Sequence, residues 1–223
     1  MRYLITAITP QKRNPDRVSL YLDGEFAFGL SKIVAAWLKV GDQLDQEKID
    51  ILKKKDAYEV GYQKAIHYIE YRSRTEKEII QKLEKEGFDS TIIDLLIERL
   101  KEQKLIEDQS YSFNWVQSRG QFRPRGRRLL AHELRQKGIA DEVIQLALAE
   151  VDDEQLAVQA ANKYARRLEN LEYQKFREKL GAYLLRRGFG YSTVSKVIPQ
   201  IWEKNHLASE KPTSENGDID HEW

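Results

Sequence analysis

Residues 119–138 read RGQFRPRGRRLLAHELRQKG. The stretch closes on Gln136-Lys137-Gly138-Ile139, and the same pattern occurs at Lys85-Glu86-Gly87-Phe88 and at Arg186-Arg187-Gly188-Phe189. The three glycines lie 51 and 50 residues apart, a period that points to stacked helical repeats. A glycine followed by an apolar residue reads as a helix C-terminus, because glycine takes φ > 0 at the C′ position without steric cost. Aligned on these glycines, the three units match without gaps. Ile79, Ile80 and Leu83 correspond to Leu130, Ala131 and Leu134, and then to Leu180, Gly181 and Leu184. Further on, Ile93 corresponds to Ile144 and Val194, and Ile97 to Leu148 and Ile198.

The first unit shows the grammar most fully. Asp45 can cap a short helix to Lys55, and Asp56 a second one to about Tyr71. Thr75-Glu76-Lys77-Glu78 is a capping box that opens the next helix. Asp89 or Ser90 then caps a helix that buries Ile92, Ile93, Leu96, Ile97 and Leu100. First helices of the second and third units fit 110–118 and 153–167, and Pro199 is expected to kink or break the last helix.

Residues 3–30 read differently. Tyr3 to Thr9, Val18 to Leu22 and the alternating Phe26 and Phe28 are strand-like, Asp23-Gly24 supplies a tight turn, and residues 10–16 form a polar loop. Three short strands are marginal alone. They are therefore expected to pack on a helix over residues 31–39 that Gly41 ends. The predicted fold is mainly α: three tandem three-helix repeats forming an elongated curved solenoid, preceded by a small three-strand unit with a short helix. The expected boundaries are 1–55 for the β-cap, 56–108, 109–152 and 153–205 for the repeats, and 206–223 for a disordered acidic tail.

Composition removes several classes of function. Without cysteine there is no disulfide, thiolate catalysis or Cys-ligated metal, which fits a reducing cytoplasm. His67, His132, His206 and His221 are scattered, with no pair at i,i+4, so a zinc site and any cofactor are not expected. Gly-rich phosphate loops are missing. No apolar stretch is long enough for a membrane span. Glu76, Glu78, Glu84 and Glu86 alternate with lysines as solvated surface pairs. The expectation is a protein that is not an enzyme.

The net charge of +1 hides a local excess. Residues 119–138 hold Arg119, Arg123, Arg125, Arg127, Arg128, Arg135 and Lys137 against one acid, Glu133. On a helix over 126–137, Arg128, His132 and Arg135 form a stripe opposite the buried Leu130, Ala131 and Leu134. Cations at a helix N-terminus oppose the macrodipole, so their placement suggests an anionic partner: a phosphate backbone or an acidic protein surface. A solvated basic face is the alternative. Arg72 and Arg74 occupy the loop equivalent to Arg123 and Arg125, and Arg166, Arg167, Arg186 and Arg187 add smaller clusters. Arg187 can simply pair with a helix C-terminus. Tyr111, Phe113, Trp115, Tyr183 and Tyr191 fit packing between repeats better than base stacking.

These motifs resemble the RecX family, bacterial regulators of the RecA recombinase. Tyr71-Arg72-Ser73-Arg74-Thr75-Glu76-Lys77-Glu78 is similar to the family's opening motif, Arg123 to Leu130 and Glu133 to Ile139 to its middle one, and Leu184 to Phe189 to its third. The likeness spans roughly residues 60–204, and Tyr21 to Phe26 looks like the extension of longer members. It implies tandem three-helix repeats in a non-enzymatic modulator, expected to be a monomer. Such a protein binds in the groove of the RecA–DNA filament and inhibits its ATPase, strand-exchange and coprotease activities. The expected contact set is Arg72, Arg74, Arg119, Arg123, Arg125, Arg127, Arg128, Arg135 and Lys137. Charge reversal of Arg125 and Arg128 is expected to abolish inhibition without changing helicity or melting. The competing readings are an autonomous nucleic-acid-binding protein and a scaffold for acidic proteins.

Overall fold

Alternation in the first residues produces an antiparallel sheet of four strands among the residues described. The structure, a computed structural model, describes residues 1–209. Strands β1 (Arg2–Gln11), β2 (Asn14–Leu22), β3 (Glu25–Ser31) and β4 (Gln43–Asp45) lie in the order β3-β2-β1-β4. Asp23 and Gly24 both have positive φ, 51° and 90°, as the tight β2–β3 turn requires. The expected loop over 10–16 is mostly strand, because β1 and β2 pair as far as Gln11 opposite Asn14. Pro10, which cannot donate to a ladder, sits beside a register irregularity. β4 is too short to show in the sequence. It pairs with β1 through Arg2 and Asp45.

Two compact units follow from the contacts, Met1–Asp108 and the chain from Gln109 onward. In the first, the expected helix over 31–39 shrinks to α1 (Lys32–Ala35), after which a turn bonds the Leu38 N–H to Ala35. The expected break at Asp56 does not occur: α2 (Gln46–Tyr71) is one continuous helix, capped by Asp45. Asp56 faces the sheet instead. Its carboxylate accepts from Arg17 Nη2 at 2.8 Å and from the Ser31 N–H at 2.6 Å, so it fastens the sheet to the middle of α2. Ile5, Leu20, Leu22 and Leu44 complete that contact with Ile49. α3 (Glu76–Lys85) and α4 (Ser90–Glu102) pack with α2 around Ala65, Ile79, Leu83, Leu96 and Leu100. The Thr75 capping box is present, and Asp89 caps α4.

α5 (Asp108–Phe122) starts on the last residue of the first unit, and the second unit holds the rest of it with α6 (Arg127–Gln136), α7 (Asp141–Leu148), α8 (Asp153–Ala165), α9 (Tyr173–Arg186) and α10 (Tyr191–Ser209). Tyr111, Leu130, Leu134, Ile139, Ile144 and Leu148 form one core. Ala157, Ala161, Phe176, Leu180, Leu184, Phe189, Val197, Ile198 and Ile201 form the other. Pro199 does not break α10. Val197, Ile198 and Ile201 flank it in the core, and their burial outweighs the one backbone bond it deletes. α10 also runs to Ser209, into the segment expected to be a disordered tail. The rest of that expectation lies outside the described residues.

The repeat grammar is realised three times. Gly87, Gly138 and Gly188 have φ of 83°, 85° and 84°. In each case the glycine N–H and the next N–H close back on the helix: Phe88 to Leu83, Ile139 to Leu134, Phe189 to Leu184. These are Schellman caps, in which the residue after the glycine is apolar because it folds onto the last turn. A second recurring bond was not legible. The Glu76 N–H opening α3 donates to Asp108 at 3.1 Å, and the Arg127 N–H opening α6 donates to Asp153 at 2.8 Å. Burial raises both carboxyls above the ordinary carboxylate range.

Candidate partner-binding surface

Two basic residues of the second three-helix unit, Arg119 and Arg125, converge on one carboxylate. Trp115 and Arg119 stand one turn apart on α5, so they share a face. Glu133 and Lys137 do the same at the end of α6. Between the helices, residues 123–126 carry Arg123 and Arg125 around a buried Pro124. Glu133 accepts from the Trp115 indole Nε1–H at 2.9 Å and from Arg119 Nε at 3.4 Å, and its other oxygen pairs with Arg125. Its side chain is 12% exposed.

Cations stack on rings around this centre. The Arg119 guanidinium lies 4.1 Å from the Trp115 ring, and Lys137 Nζ is 5.2 Å from the same ring. Trp115 in turn stacks on Tyr111. Arg187, at the end of α9, covers Tyr183 at 4.6 Å, and Tyr183 stacks face to face on Tyr164 at 4.0 Å. Ring faces attract cations, so the aromatics hold three of the basic side chains, Arg119, Lys137 and Arg187, in fixed orientation. Arg187 also donates to the Pro124 carbonyl at 3.1 Å. Burial, with Arg119, Arg187 and Arg123 close by, pulls the Arg125 guanidinium below its usual range. Arginine remains charged at neutral pH regardless, so the cluster holds an excess of positive charge.

The loop bearing Arg123 and Arg125 is pinned by backbone. The Gly126 N–H donates to the Arg187 carbonyl at 2.9 Å. A Cβ on Gly126 would meet the Gly188 carbonyl oxygen at 2.4 Å. Two backbones approach here as only glycine allows.

The other expected contact residues fall into four groups. Arg127 serves the fold: its guanidinium donates to the Leu148 carbonyl at 2.7 Å and its N–H to Asp153. Arg135 makes a half-exposed pair with Asp141 at 2.7 Å. Arg123 and Arg128 are exposed at the surface. Arg72 and Arg74 belong to the other unit. Arg72 forks onto Glu78 at 3.0 and 3.2 Å. Arg74 bonds the Tyr68 carbonyl and lies 3.7 Å from the Tyr68 ring. The expectation that charge reversal at Arg125 leaves melting unchanged is corrected by its pairing with Glu133, because the reversal would place two carboxylates together.

Sequence reasoning missed Glu133 as the centre and treated Arg187 as a C-terminal charge. Two signals were present: Glu133 is the single acid of residues 119–138, and Trp115 and Arg119 are spaced i,i+4. Tyr111 and Trp115 pack inside the core of the second three-helix unit rather than between repeats as expected, and Phe113 is half exposed. Tyr191 is 72% exposed and packs less than expected. Among the described residues no cluster of His, Asp and Glu could hold a metal, and no helix is long and apolar enough to cross a membrane.

Comparison with known proteins gives four matches in chain order. The Regulatory protein RecX N-terminal domain matches residues 3–45, and the first, second and third three-helix domains of RecX match 62–100, 108–148 and 152–198. The chain is 32% identical over 204 residues to Regulatory protein RecX of Bacillus pumilus (strain SAFR-032), covering 89% of this chain and 78% of that one. It is 32% identical over 203 residues to Regulatory protein RecX of Clostridium botulinum (strain Alaska E43 / Type E3), covering 88% and 95%. A crystal structure of regulatory protein RecX superposes with a TM-score of 0.70 at 28% identity, over 87% of this chain and 98% of that one. RecX from Lactobacillus salivarius gives 0.61 at 28%, over 67% and 99%.

Proposed function

The chain belongs to the RecX family of regulatory proteins, and from that premise we propose that it is a non-enzymatic regulator of the RecA recombinase. It binds the RecA–DNA filament in the helical groove and lowers its ATPase, strand-exchange and coprotease activities. It thereby modulates recombination, repair and the SOS response from the cytoplasm. The observation that carries this reading is the ordered match of all four RecX domains along one chain, with a cation cluster built into the second three-helix domain. A regulator of this kind acts by differential binding: it shifts a filament only if it prefers one state or blocks a required motion. Arg123, Arg125, Arg128 and Arg119 supply the charge that faces acidic recombinase surfaces, DNA phosphates, or both.

The test is DNA-dependent ATP hydrolysis by preformed recombinase filaments, with the protein added at substoichiometric ratios. A falling rate at low ratios is expected, since each copy then affects many protomers. An unchanged rate, with binding to bare DNA measured in parallel, would instead support the autonomous nucleic-acid binder.

A further inference from the structure

Glu133 sits where a ligand would. Its carboxylate takes hydrogen bonds from Arg119 and the Trp115 indole and pairs with Arg125, and Arg123 and Arg187 stand close to Arg125. We propose that Glu133 is an internal competitor for an incoming phosphodiester: a nucleic-acid strand displaces it from Arg119 and Arg125, so its charge sets how tightly the cluster takes phosphate. This rests on the reading of the second three-helix domain as a binding surface and names how that surface is regulated.

Three observations support it. The charge is unbalanced, because among the described residues Glu133 is the one carboxylate paired with this group of four neighbouring arginines, and a chain of phosphates can engage several at once. The arginines are pre-oriented: Arg119 by the Trp115 ring, Arg187 by the Tyr183 ring and the Pro124 carbonyl, Arg125 by its loop. Pre-orientation lowers the entropy cost of taking a new anion. The same place in the fold carries the opposite sign in the first repeat. Glu133 and Lys137 align with Lys82 and Glu86, which pair with each other at 2.7 Å. In the second repeat the i,i+4 pair is inverted, and Glu133 turns to the arginines. An acidic protein segment is the weaker candidate, since a single carboxylate is the ligand already in place. Phe122, 74% exposed beside Arg123, offers a ring face to a base, which a peptide would not need.

The test needs no recombinase. Trp115 reports displacement directly, because its indole N–H loses the Glu133 acceptor. The full chain is labelled with ¹⁵N-indole, the Trp115 resonance is assigned with W115F, and a twenty-nucleotide oligothymidylate is titrated. The Trp115 resonance is expected to move with saturation. Inorganic pyrophosphate and polyglutamate run as separate arms and are expected to shift it far less. E133Q keeps an oxygen acceptor but removes the charge. It is expected to bind the oligonucleotide about three- to ten-fold tighter at moderate salt, with a salt slope steeper by roughly 0.7, the value of one added phosphate contact on a single strand.

Saturable oligonucleotide binding that leaves the wild-type Trp115 resonance still overturns the inference, and that result does not depend on whether E133Q folds. Equal or weaker binding by a folded E133Q also overturns it. A Trp115 response to polyglutamate as large as that to the oligonucleotide assigns the cluster to acidic protein instead, and one to pyrophosphate alone assigns it to free phosphate. Filament inhibition by the wild-type chain with a silent Trp115 sinks this inference only. Loss of filament inhibition with a responsive Trp115 sinks the regulatory reading only.

Discussion

Gly126 and Gly188 meet backbone to backbone: a Cβ added to Gly126 would lie 2.4 Å from the Gly188 carbonyl oxygen, and one added to Gly188 would lie 2.4 Å from Leu129 Cβ. The contact locks the start of α6 to the end of α9. It thereby sets the path of the loop that carries Arg123 and Arg125. No flexible side chain can give way, so G126A must move the backbone of one partner. The expected cost is about 1–3 kcal/mol, read as a melting temperature lower by roughly 3–10 °C for a chain of this size. Unchanged melting of G126A would show that the approach is looser in solution.

Arg123, Arg125 and Arg128 should separate in the same pair of assays. Arg123 and Arg128 are exposed, so R123E/R128E is expected to melt within about 2 °C of wild type while filament inhibition weakens several-fold. R125E places a carboxylate against Glu133 and is expected to lower the melting temperature as well. Thermal melts beside the ATPase titration check this. Full inhibition by a stable R123E/R128E would remove both residues from the contact set.

Asp153 gives a pH dependence with a definite sign. Burial raises its carboxyl above the ordinary value of 3.8 while it accepts from the Arg127 N–H. The folded state therefore holds this proton to higher pH than the unfolded chain does. The stability that it contributes is full below the unfolded value and is lost as pH rises through the raised folded one. D153N keeps the acceptor and cannot ionise. Its melting temperature relative to wild type should be higher by about 1–3 °C near neutral pH, with the gain shrinking towards about pH 4. Differential scanning calorimetry across that range reads the trend, and a gain that grows on acidification would contradict it.

Asp56 should matter more than its place in mid-helix suggests. D56A removes the acceptor of Arg17 and of the Ser31 N–H together, leaving Arg17 with the Gly29 carbonyl and the part-buried Ser31 N–H without this partner. The expected loss is about 1–3 kcal/mol, discounted because the Arg17 side chain is 24% exposed. Amide exchange provides the check. Protection should fall first in β2 and β3, where Arg17 and Ser31 lie, and uniform protection would argue against a local fastening.

The repeats were legible because their signals are local. A glycine at C′, the apolar residue after it and the Thr75 capping box each act within one turn, so residue spacing alone places them. The break expected at Asp56 and the missed β4 share a different cause. Both depend on partners far along the chain, Arg17 and Ser31 for one and Arg2 to Leu4 for the other. The same holds for the binding surface. Its charge could be counted from residues 119–138, but Glu133 as its centre depends on Trp115 across a helix pair, and Arg187 joins it from α9.

The bonds from Asp108 to α3 and from Asp153 to α6 have a consequence for synthesis. The free N–H at the start of a repeat's second helix is met by a residue that leaves the ribosome 32 residues later in the first case and 26 later in the second. Neither helix has its full set of bonds until the beginning of the following domain has emerged. Completion therefore travels in the direction of translation, and the first two three-helix domains each gain this bond from the start of the next. α9 differs: the residue at its N-cap, Glu172, makes no side-chain cap bond. A chain shortened from its C-terminal side to before Asp153 would thus leave the Arg127 N–H, at the start of α6 and beside the loop of Arg123 and Arg125, without this acceptor.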